Sequence, residues 1–351
     1  MAMSVVNLLE SSAQAAQIQQ VNQTTPDMKV QSMTYNIRTL KGDLKGDKSW
    51  DSRKDEVLKV LTGQVNRDGG GTVGASDFVG VQEAETQEQW DFIAQGMEKA
   101  GYALVPAGDW KTANGNMLFY KKSEFTLDTT PGKSGKFNIT PDEFGARDVV
   151  YGHFINNKTG QDIYTFTSHF GVHNTEKDLQ DIATQIGKIT DDPYAQDKNK
   201  PVIFMGDLND KNKIDGDPSY DHDPAFSWRG LYDSYEKLHG KGTPGSNTTD
   251  HAWGPKKSEH REDMIFGGGV DYDSGEANSN DILHYSYRGK DGEMITPSDH
   301  YAVVSDLYFK GDQAPNAKTQ THLGVDHSEL MKDAEVNPFN APSSAFEGEL
   351  F

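Results

Sequence analysis

The chain has 351 residues, 34% of them hydrophobic and 10% aromatic, enough to bury the core of one large domain or two ordinary ones and unlike a disordered chain. Asp and Glu number 54 against 34 Lys and Arg, a formal net charge of -20. That excess argues against nucleic-acid binding through the surface as a whole, although bound divalent cations or a local basic patch would reverse the field at one site. The absence of cysteine excludes disulfides, zinc–thiolate centres and thiol nucleophiles, and suits an exported bacterial protein. No apolar run approaches the ~18 residues of a membrane span. The first basic residue is Lys29, so the N-terminus lacks the charged start of a signal peptide.

Residues 1–28 read as a polar arm with a short helix around VVNLLESSAQAAQIQQV. From there strands and helices alternate, the pattern of an α/β fold. KVQSMTYNIR is a strand ending near Asn36, and SWDSRKDEVLKVLTGQV a helix capped by Asp51 or Ser52 with Val57, Leu58, Leu61 and Val65 on one face. SDFVGVQEA is a strand that delivers Glu83, and TQEQWDFIAQGMEKAGY a helix with Trp90, Ile93, Ala94 and Met97 inward, stopped at Gly101. GNMLFYKK and VVYGHFINN read as antiparallel strands.

The scheme then repeats. DIYTFTSHFG is a strand delivering His169, NTEKDLQDIATQIGKI a helix burying Leu179, Ile182, Ile186 and Ile189, and PVIFMGDLND a strand ending in Asp207 and Asn209. REDMIFGG and HYAVVSDLYF follow, the second preceded by Asp299 and His300. Residues 311–351 read as a surface-wrapping or mobile tail.

Asn36, Glu83, His169, Asp207 with Asn209, and Asp299 with His300 therefore all stand at strand ends, where one shared rim would gather them into one cleft. The metal-capable atoms of Asn36, Glu83, Asp207, Asn209 and Asp299 are hard oxygens, which favour Mg²⁺, Mn²⁺ or Ca²⁺ over zinc. Two histidines beside such an ion suit hydrolysis of a phosphate ester. Asp263 is the candidate to hold His300. The acidic loops 215–224 and 269–281 have the composition of structural Ca²⁺ sites or of ordinary solvated surface. Lys41, Lys45 and Lys48, with Arg38, form the densest basic cluster.

MTYNIR, GVQE, TSHFGVHN, GDLND, REDMIF and SDHYAVV, in that order, resemble the motif series of the endonuclease/exonuclease/phosphatase superfamily, which includes deoxyribonuclease I-like enzymes, sphingomyelinases and inositol phosphatases. The resemblance implies a four-layer sandwich: two central, mostly antiparallel sheets packed face to face, with helices on both outer sides. It implies a catalytic domain over residues 29–310, with Glu83 as the principal Mg²⁺ ligand and Asn36 and Asp299 near it. Asp207 and Asn209 would orient the attacking water, His300 with Asp263 would act as general base, and His169 would contact the phosphoryl oxygens. Arg147 falls where nucleases of the family bind phosphate. Two departures bear on DNA contacts: Glu85 replaces an Arg, and Asn114 or Asn116 stands in for a Tyr. The implied function is a monomeric Mg²⁺-dependent phosphodiesterase, with Mn²⁺ as a substitute. Its substrate would be DNA, with RNA next, and a small phosphoester (inositol phosphate, sphingomyelin or a nucleotide) is the alternative. A member that kept the fold and lost catalysis would have lost a metal or histidine position, and none is missing here.

Overall fold

The computed structural model describes residues 26–42, 44–191, 200–209, 223–227, 229–240, 248–253 and 261–311. The N-terminal arm up to residue 25, the tail from 312, and most of the acidic loop 215–224 lie outside the described residues.

In chain order, β1 (Met28–Asn36) leads through α1 (Trp50–Leu61) to β2 (Phe78–Gln82), followed by α2 (Gln87–Lys99), β3 (Tyr102–Leu104) and β4 (Met117–Lys121). Then come β5 (Phe125–Leu127), β6 (Ser134–Asp142), β7 (Gly145–Asn156), β8 (Asp162–His169), α3 (Glu176–Ile189) and β9 (Val202–Asp207). The last group is α4 (Asp223–Ser227), β10 (Tyr232–Asp233), α5 (Ser234–His239), β11 (Asp263–Gly268), β12 (Ser279–Leu283), the short pair β13 (Tyr287–Arg288) and β14 (Met294–Ile295), and β15 (Ala302–Phe309).

Six strands form one sheet in the order β12-β15-β1-β2-β4-β3, and the other runs β10-β11-β9-β8-β7-β5 with β6 paired to β7. Pairing is antiparallel except between β1 and β2 and between β8 and β9. Those two parallel pairs are joined by α1 and α3, so the repeated strand–helix–strand pattern is a pair of βαβ crossovers, one in each sheet. GNMLFYKK and VVYGHFINN, by contrast, are not partners: β4 pairs with β2 and β3, and β7 with β5, β6 and β8 in the opposite sheet.

The unbroken apolar run of β9 is explained by burial on both faces. Val202 and Phe204 pack with Leu179, Ile182 and Ile186 of α3, whereas Ile203 and Met205 join the cluster that contains Met33 and Ile265. Met205 reaches the facing sheet so closely that a Cβ on Gly80 of β2 would stand 3.3 Å from its Cγ. Trp90, Ile93 and Met97 of α2 are buried as expected, while Ala94 is only partly so. The start of α1 differs from the expectation. Ser49 is its N-cap because Trp50 is drawn inside the helix to set its ring edge-on to Phe92, at 5.7 Å between centroids. Asp51 instead occupies the first turn, where a carboxylate suits the positive helix end.

A polar seam crosses the sandwich. Thr34 Oγ1 donates to Gln82 Oε1 at 3.1 Å, Gln82 Nε2 donates to Thr167 Oγ1 at 3.0 Å, and Asn36 Nδ2 donates to Asp207 Oδ2 at 2.7 Å. Buried polar groups tied this way fix the register of one sheet on the other.

Gly206, one residue before the strand end, stands where any side chain would collide: a Cβ there would lie 2.0 Å from the Ser168 carbonyl oxygen. The obstacle is backbone, so β8 and β9 would have to part. Gly206→Ala is expected to destabilise the protein by about 1–3 kcal/mol or more and to lower activity by moving Asp207. Chemical denaturation together with turnover checks this; wild-type values for both would refute the close approach.

Candidate active site

Register gathers the site. His169 is the pairing partner of Asp207 across β8 and β9, and Asp263 its partner across β11 and β9. The carboxyl ends of the parallel pairs carry Asn36, Glu83, His169 and Asp207, and the antiparallel strands β11 and β15 bring Asp263, Asp299 and His300 to the same rim. Ligand sites form at such strand ends in α/β sheets. All seven side chains are buried.

Three of them turn toward one carboxylate oxygen. Asp207 Oδ2 accepts from Asn36 Nδ2 at 2.7 Å and faces His169 Nε2 at 3.5 Å and His300 Nε2 at 3.9 Å. Its other oxygen accepts the Asn209 backbone N–H at 2.9 Å. Asn209 also donates its amide to the Phe170 carbonyl, which locks the turn beneath Asp207.

Asn36, expected to offer an oxygen to an ion, shows a different face. Its Oδ1 accepts the Arg38 N–H at 2.9 Å, so the amide N–H₂ is what turns inward, tying Glu83 Oε1 (2.9 Å) to Asp207. Glu83 Oε2 accepts the Thr39 N–H at 2.7 Å. Burial alone would raise the Glu83 pKa. The positive character of His169 and Arg38 and the donors Asn36 and Thr39 outweigh it and hold the carboxyl at about 2. The Arg38 guanidinium lies between Glu83 Oε2 (3.8 Å from Nη1) and Asp299 Oδ2 (3.4 Å from Nε). A cation thus already stands between the two carboxylates expected to hold an ion. The hard oxygens of Glu83 and Asp207, with His169, also lie within 4.8 Å of one another. This donor set fits a divalent cation.

His300 Nδ1 meets Asp263 Oδ2 at 2.7 Å, as expected. Arg261, two residues before Asp263, pairs with Asp233 at 2.5 Å. Burial would push the His300 pKa down, but Asp263, Asp207 and Asp299 surround it and raise it well above the ordinary histidine value. The His300 Nε2 faces Asp207 Oδ2 at 3.9 Å. His169 differs. Arg147 Nη1 lies 3.1 Å from its Nδ1, and a guanidinium can only donate, so in neutral His169 the proton sits on Nε2, facing Asp207.

Arg147 reaches the cleft with Asp142 as its ion-pair partner at 3.1 Å, rather than Asp148 or Glu143. Its Nε is buried with no hydrogen-bond partner among the described residues. Asn114 and Asn116, expected at the substrate phosphate, both donate to Asp148, at 2.7 and 3.1 Å. Asn116 is buried, and Asn114 lines a cavity with Arg147. His173 sits on the turn before α3 and faces Glu143 at 3.4 Å, with 74% of its side chain exposed. The acidic loop 269–281 folds as a 3₁₀ turn, and its carboxylates form no group of three among the described residues.

Sequence reasoning missed Glu262 and Arg53. Glu262, beside Asp263, is buried, and burial together with the Asp207 charge lifts its pKa to about 8. Arg53 of α1 is buried and donates to the carbonyls of Ile37, Arg38 and Pro297, bracing the loops that carry Arg38 and Asp299. The paired acids in REDM could have signalled the first; an arginine on an amphipathic helix gives no such sign. Four cleft residues also hold left-handed backbone: Arg38 (φ 58), Glu83 (φ 64), Asn114 (φ 46) and Asn209 (φ 49).

A model of the endonuclease/exonuclease/phosphatase family matches residues 33–300. Among solved structures, the chain is similar to a protein of that family from Bacteroides thetaiotaomicron, with 24% identity and a TM-score of 0.59, covering 81% of this chain and 99% of that one. It is also similar to a mannosyl-6-phosphatase from the same organism (23%, TM-score 0.54, 79% and 99% covered). The human Nocturnin catalytic domain with bound sulfate is a third (18%, TM-score 0.53, 82% and 97% covered). At these identities the likenesses establish the sandwich fold. No curated protein matches the chain.

Proposed function

Because the chain belongs to the endonuclease/exonuclease/phosphatase family, whose members hydrolyse phosphoesters, we propose that it is a Mg²⁺-dependent phosphodiesterase acting on nucleic acid, DNA first and RNA next. The observation that carries this reading is the convergence of Asn36, His169 and His300 on Asp207 Oδ2. A carboxylate oxygen placed among donors can receive a proton from water while the donors receive the charge that develops on phosphorus-bound oxygens.

In the proposed reaction, Asp207 Oδ2 orients the attacking water and takes its proton, and Asn209 and Asn36 hold the carboxylate in place. His300, kept cationic by Asp263, donates to a non-bridging oxygen. The His169 Nε2–H donates to a phosphoryl oxygen or to the leaving group, its orientation set by Arg147. Glu83, with Asp299 near it, would hold Mg²⁺, or Mn²⁺ in its place. The ion, when bound, would neutralise phosphate charge and stabilise the oxyanion in an in-line displacement.

The acid excess favours a second reading, hydrolysis of a small phosphoester, which needs no long basic track. One panel separates the two: nicking of supercoiled DNA and phosphate release from small esters, each with Mg²⁺, Mn²⁺, Ca²⁺ and excess EDTA, beside an Asp207→Ala control. DNA nicking with Mg²⁺, abolished by EDTA, is expected. Full activity in EDTA would sink the metal role, and phosphate release without nicking would install the second reading.

A further inference from the structure

His153 of β7 is a buried histidine that the proposed reaction does not use. It pairs with Tyr164 near the start of β8, whereas the candidate site lies at the other end of that strand, at His169. Both ring nitrogens of His153 meet carboxylates: Nδ1 lies 2.9 Å from Asp128 Oδ2, and Nε2 lies 3.1 Å from Asp162 Oδ2. An ionised carboxylate can only accept, so each contact takes an N–H, and an imidazole carries two only when protonated. The main chain closes on the same residue. The Asp128 N–H donates to the His153 carbonyl and the His153 N–H to the Lys133 carbonyl, each at 2.8 Å. The turn 128–133, which joins β5 to β6, is thereby clasped to β7 at both ends, and Asp162 ties in the first residue of β8.

We propose that protonated His153 is a pH-sensitive latch, which holds the turn 128–133 and the start of β6 against β7 and β8 and releases them when it loses its proton in alkali. A neutral imidazole keeps one N–H, so the second carboxylate then faces a ring lone pair and the contact turns repulsive. The groups around the ring favour the proton. Asp128 approaches from the turn and Asp162 from β8, and the Tyr164 ring stacks on the imidazole at 4.3 Å between centroids. Two cations stand beyond that ring: Lys133 Nζ lies 3.0 Å from the phenol oxygen and Lys200 Nζ 5.5 Å from the centroid. Asp191, just after α3, neutralises Lys133 at 2.6 Å. Burial would lower the His153 pKa, but the bonds to Asp162 and Asp128 outweigh it and raise it. The latch therefore contributes fully below the ordinary histidine value of 6.5 and is lost as pH rises through the raised one. Asp128 is held at about 2, by its bonds to Thr130 first and His153 next, and Asp162 is lowered too, so acid opens the latch only below the ordinary aspartate value of 3.8.

The far end of β6 reaches the candidate site. Asp142 closes that strand and pairs with Arg147 at 3.1 Å, and Arg147 contacts His169 at 3.1 Å. A loosened β6 would lower turnover in alkali, a consequence that rests on the phosphodiesterase reading, as the latch itself does not.

The test follows the His153 ring by NMR and the clasp by hydrogen exchange, on the full chain from about pH 5 to 10. In wild type, His153 should titrate above 6.5. In Asp162→Asn, where the replaced side chain is 53% exposed and folding is spared, the midpoint should move down toward 6.5. Protection of the amides at positions 128 and 153, corrected for intrinsic exchange, should fall through the wild-type midpoint. The fall should be about tenfold for each pH unit by which that midpoint exceeds the unfolded value. In His153→Gln, which has no proton to lose, the same two amides should show no dependence on pH. A wild-type midpoint at or below 6.5, an unmoved midpoint in Asp162→Asn, wild-type protection that ignores pH, or the same fall in His153→Gln would overturn the proposal. Turnover measured alongside keeps the two readings apart. A chain that titrates and exchanges as described but hydrolyses no phosphoester keeps the latch and loses the catalytic reading; one that hydrolyses while its clasp ignores pH loses the latch alone.

Discussion

Asp207→Asn is expected to lower kcat by about 10²–10⁴-fold, the usual contribution of a positioned proton acceptor, with a much smaller change in KM. The replacement keeps the shape of the side chain, which isolates the chemistry. Both oxygens of Asp207 accept N–H groups, one from Asn36 and the other from the Asn209 backbone. An amide can present an oxygen to only one of them, so the other meets a second donor. That mismatch costs about 1–3 kcal/mol. It is offset by relief of the repulsion that Asp207 exerts on the buried carboxyls of Glu262 and Asp263. The fold should therefore survive while turnover collapses. Steady-state kinetics beside a thermal melt decides it, and a variant that retains wild-type kcat would remove Asp207 from the reaction.

Glu83→Gln should shift the Mg²⁺ dependence instead. Losing one anionic ligand is expected to raise the half-saturating Mg²⁺ concentration about 100-fold or more, by comparison with the 10–100-fold cost of losing a mere supporting contact around a metal. Excess Mg²⁺ should recover part of the rate. The pH sign follows from the lowered pKa. Charge on Glu83 favours folding fully above the ordinary carboxylate value, near 4.5, and that stabilisation is lost as pH falls toward about 2. An activity loss between pH 5 and 6 would thus have a source other than Glu83. An unchanged Mg²⁺ titration would show that the ion is held elsewhere.

Strand ends were the legible part of this chain. An apolar run bounded by Gly and closed by Asp207 can be placed from the residues alone, and pairing register then puts His169 and Asp263 beside it. The βαβ crossovers followed from the alternation of strand and helix periods. Hydrogen-bond direction was not legible: the inward face of the Asn36 amide is set by the Arg38 N–H, a contact made by a left-handed residue that no spacing rule anticipates. The hairpin of β6 and β7 escaped for another reason. Most residues of β6 are exposed or half-buried, so the strand lacks the apolar alternation that marks a core strand. That the Asn114 and Asn116 amides donate to the buried Asp148 was not legible either, because an amide reads the same whatever acceptor it faces.

The unusual backbone at Arg38, Glu83 and Asn114 carries an evolutionary implication. Outside glycine, a left-handed residue gives up roughly 1–2 kcal/mol, so mutations to glycine at these positions would find a more relaxed chain. Laboratory selection for heat resistance alone should drift toward them and erode the cleft, whereas selection that also demands turnover should hold the costly conformers in place. Robustness and catalysis pull this rim of the molecule in opposite directions.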